Sequence, residues 1–176
     1  MMKKKSLALL ILCAMLISSI LPSYFLFVRE HVYYQDDYAI KVPGGWIPSV
    51  HNDILVLRPR FAVHPAKPSI LLDKLTSDVP ISLQSFNFTE CVEKQFARMF
   101  QEYEIIYWGF RDIGDKDYVL LEFTCRFRGV SLSACTVFYQ TSDNDIYIIA
   151  LLNDSTENNQ KEFYRVVESF RKKIPA

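Results

Sequence analysis

The sequence predicts an α/β (α+β) domain: an antiparallel six- to seven-stranded sheet with helices packed on its faces as an α/β/α sandwich, preceded by one N-terminal transmembrane helix. Three observations predict it. An uncharged apolar run extends from Ser6 to Val28, period-two alternation dominates Tyr118 to Leu152, and two segments, around 92–103 and 163–170, carry apolar residues at helical spacing. Half of the 176 residues are hydrophobic, with 13 Phe and 10 Tyr, enough to bury one core and too apolar for a disordered chain. The length suits one domain and a short appendage.

The run from Ser6 to Val28 follows Lys3, Lys4 and Lys5 and ends at Arg29. At about 1.5 Å rise per residue such a helix crosses a hydrocarbon core of roughly 30 Å with some tilt. A cleaved signal peptide is the competing reading, because it too starts basic. Its apolar region is shorter, and around Ser18, Ser19 and Ser23 an Ile or Leu falls where a small residue is read; Pro22 inside the run keeps the alternative open. Cys13 follows Leu12, which does not suit a lipoprotein signal, and reads as apolar filler. Tyr24, Phe25, Phe27, Tyr33 and Tyr34 form an aromatic cluster at the far end, as in a headgroup layer. The lysines stay inside, so residues 1–5 are cytoplasmic, 6–28 are the anchor or signal peptide, 29–37 a juxtamembrane linker, and the domain, 38–173, lies outside the cytoplasm.

Basic and acidic residues balance at 20 each; without Lys3, Lys4 and Lys5, 17 basic face 20 acidic residues. A mildly acidic domain argues against nucleic-acid binding by phosphate neutralisation and gives no reason to favour an anionic membrane surface.

Along the domain, Tyr38–Val42 alternates and stops at the turn Pro43-Gly44-Gly45-Trp46. Ile54–Arg58 and Ser69–Leu75 read as strands joined through Pro59, Pro65 and Pro68. Asn87 and Glu90 have capping-box spacing before a helix bearing Val92, Phe96, Met99, Phe100 and Tyr103 on one face. Glu104–Phe110 is a strand and 112–117 a polar turn. Tyr118–Phe127, Leu132–Gln140 and Ile146–Leu152 form an antiparallel three-strand meander. A last helix begins near 154–156, carries Phe163, Val166, Val167 and Phe170 inward, and ends on Arg171, Lys172 and Lys173, cations suited to its negative pole, before Pro175.

The opening Tyr38-Ala-Ile-Lys-Val-Pro-Gly-Gly-Trp46 and the closing Phe163-Tyr-Arg-Val-Val-Glu-Ser-Phe170, with the central helix and long hairpin between, resemble the PsbP-like superfamily and the related DcrB-type bacterial envelope proteins. The resemblance covers about residues 33 to 173. It implies an α/β/α sandwich and an accessory, assembly or chaperone-like binding role, with no shared catalytic residue. The photosynthetic members bind near a manganese and calcium centre, but no ligand motif here matches.

Cys125 and Cys135 fall on adjacent strands. A three-residue loop, 129–131, sets them opposite as a candidate disulfide; a two- or four-residue loop leaves two buried thiols, and Cys91 offers other pairings. His31, His51 and His64 lack the close pairing that a zinc site needs. Asp112, Asp115 and Asp117, and Asp143 and Asp145, read as turn residues rather than calcium ligands. Five glycines provide no phosphate-cradling loop, and no cofactor is expected. Arg58, Arg60, His64 and Lys67 form a basic, proline-punctuated stretch, a candidate docking loop whose plainer reading is a solvated connector. Asn87 and Asn153 open glycosylation triplets that matter only in a eukaryotic secretory pathway.

The expectation is a non-enzymatic, membrane-anchored binding, assembly or accessory module on the outer side of a bacterial membrane, with a protein or small-ligand partner and no nucleic acid. One alternative is a secreted or tethered hydrolase or thiol enzyme, with Cys91, placed in the first turn of the central helix, as nucleophile. Another is a self-associating structural envelope protein.

Overall fold

The computed structural model describes residues 29–60, 68–75, 81–154 and 159–173. In chain order these form β1 (His31–Tyr34), β2 (Tyr38–Val42), β3 (Trp46–His51), β4 (Ile54–Pro59), β5 (Ser69–Leu75), α1 (Phe86–Met99), β6 (Gln101–Ile113), β7 (Lys116–Phe127), β8 (Val130–Gln140), β9 (Ile146–Asp154), α2 (Gln160–Ser169) and β10 (Arg171–Lys172). The expected anchor, 6–28, lies outside the described residues; among those described, no helix is long and apolar enough to cross a membrane.

The α+β class, the two helices and the antiparallel strands are as expected, but the strands divide between two sheets. Seven take the order β3-β4-β5-β9-β8-β7-β6, and three take the order β1-β2-β10. Strand β2 belongs to the small sheet, since the chain turns sharply after Val42 through Pro43 and Gly45, whose φ is 80°. Its partners are β1, inside the segment read as a linker, and β10, made of cations read as the last turn of a helix. Helix α2 in fact starts at Gln160 and ends at Ser169 with no basic residue in its last turn. Trp46, expected to close a turn, opens β3. Pro48 is tolerated there because β3 is an edge strand with no donor required on its outer side.

The pleat of β7 explains the layers. Tyr118 and Leu120 point to one face, where Phe163, Val166, Val167 and Phe170 of α2 meet them together with Tyr38, Ile40 and Val42 of the small sheet. Val119, Leu121, Phe123 and Cys125 point to the other, beneath Phe88 of α1. Helix α1 is capped by Ser85, whose Oγ accepts from the Phe88 N–H at 3.2 Å, rather than by Asn87, which already lies in the first turn. Cys91 accordingly sits in the second turn, exposed, away from the helix terminus.

Turn length decides the register of the central hairpin. Phe127 faces Val130 across a two-residue turn, Arg128 and Gly129, with φ of 50° and 82° as a type I′ turn requires. Cys125 therefore opposes Leu132, and Cys135 opposes Glu122. The candidate disulfide is corrected: the two thiols are free and belong to cores on opposite faces of the sheet.

Candidate functional site

The small sheet buries alternate residues of β2 and turns Ala39 and Lys41 outward, beside Val32 and Tyr34 of β1. This outer face, the C-terminal half of α2 and the Gly114–Asp115 turn between β6 and β7 enclose an open groove of about 740 Å³. Three cations, Lys41, Arg165 and Arg171, and three carboxylates, Glu30, Asp115 and Glu168, line it. Arg165 pairs with Glu30 at 3.4 Å, and Arg171 reaches Asp115 at 3.8 Å. These exposed pairs are worth little to folding and can exchange partners with a ligand.

Local backbone geometry holds the lining in place. Ser169 Oγ accepts from the Lys41 N–H and donates to the Val166 carbonyl, both at 2.8 Å, fastening α2 to β2. Arg171 Nη1 donates to the carbonyls of Glu168 and Phe170, both at 2.8 Å, so its guanidinium is oriented before anything binds. The Asp115 carboxyl is held below the usual carboxylate range by its own backbone N–H and then by the Lys116 ammonium. Among the described lining residues the hydroxyl besides Tyr34 is that of Ser169, committed to structure, and the groove offers paired charges beside the exposed Val32 and Tyr34. Such a surface presents both signs of charge to whatever enters it.

A second cluster ties the small sheet to the large one. Lys74 lies 3.3 Å from Asp37 and 3.1 Å from Asp145; Lys172 reaches Asp143 at 2.7 Å and Asp145 at 2.8 Å. The carboxyls of Asp143 and Asp145 are lowered, foremost by the hydrogen bonds from Lys172. Asp143 and Asp145 do occupy the turn between β8 and β9, as expected.

Of the basic stretch, Arg58 lies at the end of β4 with Nε donating to Ser69 Oγ at 3.4 Å, and the Arg60 N–H donates to the Gly45 carbonyl at 2.8 Å. His64 and Lys67 are outside the described residues. Burial raises both core thiols, Cys135 up to about 12, so neither is poised as a thiolate. The sequence alone does not mark these residues as one groove: Tyr34 reads as part of an aromatic cluster, Asp115 as a turn residue and Arg171 as a helix end. Their signal is the alternation of β2 itself, whose outward Lys41 marks a second, wet face.

No family model matches the sequence, and no curated protein matches it. Solved structures do. The cyanobacterial PsbP (CyanoP) of Synechocystis matches with a TM-score of 0.54 and 17% identity, over 84% of this chain and 94% of that one. LpqN, involved in cell envelope biogenesis of Mycobacterium tuberculosis, matches with 0.51 and 16%, over 82% and 90%. The Ran-binding protein Mog1p of Saccharomyces cerevisiae matches with 0.53 and 12%, over 82% and 95%. At these identities the likeness is one of fold, and the chain has the PsbP-like fold.

Proposed function

We propose that this chain, built on the PsbP-like fold, is a non-catalytic binding and accessory module, tethered by residues 6–28 on the outer side of a membrane. Its groove holds a protein segment that carries both signs of charge. The observation that carries the reading is the groove: about 740 Å³, open, lined by matched cations and carboxylates, and beginning at Glu30, just after the apolar segment. The company of the fold supports it, since one neighbour is a Ran-binding protein and another takes part in envelope biogenesis.

A photo-crosslinking amino acid at Tyr34, which is exposed at the groove, tests this. In cells of the source organism it should trap one reproducible protein, and the product should fade when Arg165 and Arg171 are both changed to Glu. Background labelling that is indifferent to those charges would remove the reading. Tethering is tested separately: the chain should stay in the membrane pellet after alkaline extraction, and a C-terminal alkaline phosphatase fusion should be active.

A further inference from the structure

Strand β6 ends the large sheet, and at 13 residues it is long for an edge. Among the described residues, no strand pairs with its outer side. The opposite edge, β3, is shorter and interrupted by Pro48. Exposed along β6 are Ile106, Tyr107 and Phe110, a combination that protein edges normally avoid.

We propose that a second copy of this chain pairs with β6 through a two-fold axis at Gly109, joining two seven-stranded sheets into one. The direction of the backbone groups sets the first constraint. Gly114, φ 65°, occupies the first central position of the two-residue turn between Ile113 and Lys116, so these two form a hydrogen-bonded pair. Counting back by alternation, Gly109 and Arg111 turn their N–H and C=O toward β7, while Trp108, Phe110 and Asp112 turn theirs outward. A two-fold antiparallel pairing sets outward residues against outward residues, so its axis falls on a residue rather than between two.

Side chains choose among the registers. Alternation runs unbroken only from Tyr107 to Ile113, since the register shifts between Ile105 and Tyr107. Within that stretch an axis at Arg111 sets the two arginines against each other, like charges that are unfavourable directly opposite. An axis at Phe110 sets Trp108 against Asp112 and Arg111 against glycine, and an axis at Trp108 leaves Tyr107 against glycine. With the axis at Gly109, Trp108 faces Phe110 of the second copy on the α1 side, and Tyr107 faces its Arg111 on the other side. Both are favourable cross-strand pairs, each made twice. The axial position is a non-hydrogen-bonded pair, where backbones approach most closely, and glycine stands there.

Tyr107 now lies over this position. A Cβ on Gly109 would stand 2.6 Å from its phenolic oxygen, and that hydroxyl donates to the outward Phe110 carbonyl at 3.5 Å. The bond is long and exposed, so the ring can move onto the incoming Arg111 and release the carbonyl for an intermolecular bond. Tyr107 thus covers the edge in the monomer and contributes to the interface in the dimer.

The test uses the full chain in detergent, with Cys13 and Cys91 changed to Ser in the cross-linking arm. Light scattering should show a dimer that Phe110→Lys converts to a monomer with an unchanged circular dichroism spectrum. An equal mixture of Tyr107→Cys and Arg111→Cys chains should form an intermolecular disulfide under mild oxidation, whereas neither variant alone should. Three results overturn the proposal: a monomer at every concentration, a dimer indifferent to Phe110→Lys, or equal cross-linking by the single variants. A monomer that cross-links in cells from position 107 to a different protein would assign the edge to a foreign strand and also overturn it.

Discussion

The rings of Tyr38 and Tyr147 meet edge to face, centroids 6.0 Å apart, yet their hydroxyls have opposite fates. Tyr147 donates to Asp37 Oδ2 at 2.9 Å, linking β9 to the segment before β2. The Tyr38 hydroxyl is buried with no hydrogen-bond partner among the described residues. Removing one oxygen from each should therefore act in opposite directions. Tyr147→Phe should cost about 1 to 2 kcal/mol, as for a partly exposed hydrogen bond to a charged group. Tyr38→Phe should be neutral or stabilise by up to about 1 kcal/mol, because an unmet polar group leaves the core. Urea denaturation of the two variants decides; equal losses would refute the contrast.

Acid should loosen the junction between the two sheets. The Asp143 and Asp145 carboxyls are depressed in the folded state, first by Lys172, so their contribution is whole above the ordinary carboxylate pKa and lost as pH falls through the lowered values. Stability should be insensitive to these groups from neutrality to about pH 4 and decline below it. Lys172→Met should make that decline shallower in pH-dependent thermal melts. An unaltered acid limb would exclude this pair as its source.

Gly129 isolates the cost of a backbone conformation. Its φ is 82°, and nothing lies within 4 Å of where a Cβ would stand, so Gly129→Ala meets no clash. The expected loss is roughly 1 kcal/mol, from the left-handed conformation alone. A denaturation midpoint equal to that of the parent would show that the turn had changed type.

The thiols should separate kinetically. In a Cys13→Ser chain, Cys91 is exposed and should react with a thiol reagent at the rate of a denatured control, while Cys125 and Cys135 react only on unfolding. The mass under non-reducing conditions should show three free thiols. A Cys91 reacting far faster than the denatured control would revive the thiol-enzyme alternative.

The parts of the fold legible in the sequence were those whose residues carry a strong period. Val119 to Cys125 and Phe163 to Phe170 bury whole stripes, and the alternation or helical spacing that this demands survives in the chain. Strands β1 and β10 have four and two residues, too short for a period, and Arg171 and Lys172 as readily suit a helix terminus. The cysteine register depended on one residue of turn length. Arg128, a poor occupant of the left-handed region, concealed a two-residue turn that Asn in its place would have announced. The groove was illegible because it is assembled from β1, β2, α2 and a distant turn, whose proximity is a product of tertiary packing.

The small sheet draws its strands from both ends of the domain, β1 and β2 from the start and β10 from the finish, with the Lys173 N–H donating to the Asp37 carbonyl at 2.8 Å. This imposes an order on biosynthesis. The meander from β6 to β9 can pair as it emerges, but the small sheet has no third strand until residues 171–173 have been made and brought back to residue 38. A chain stalled a few residues earlier would display the unfinished sheet and the underside of its core, so the groove closes only once the domain has been made to its last strand.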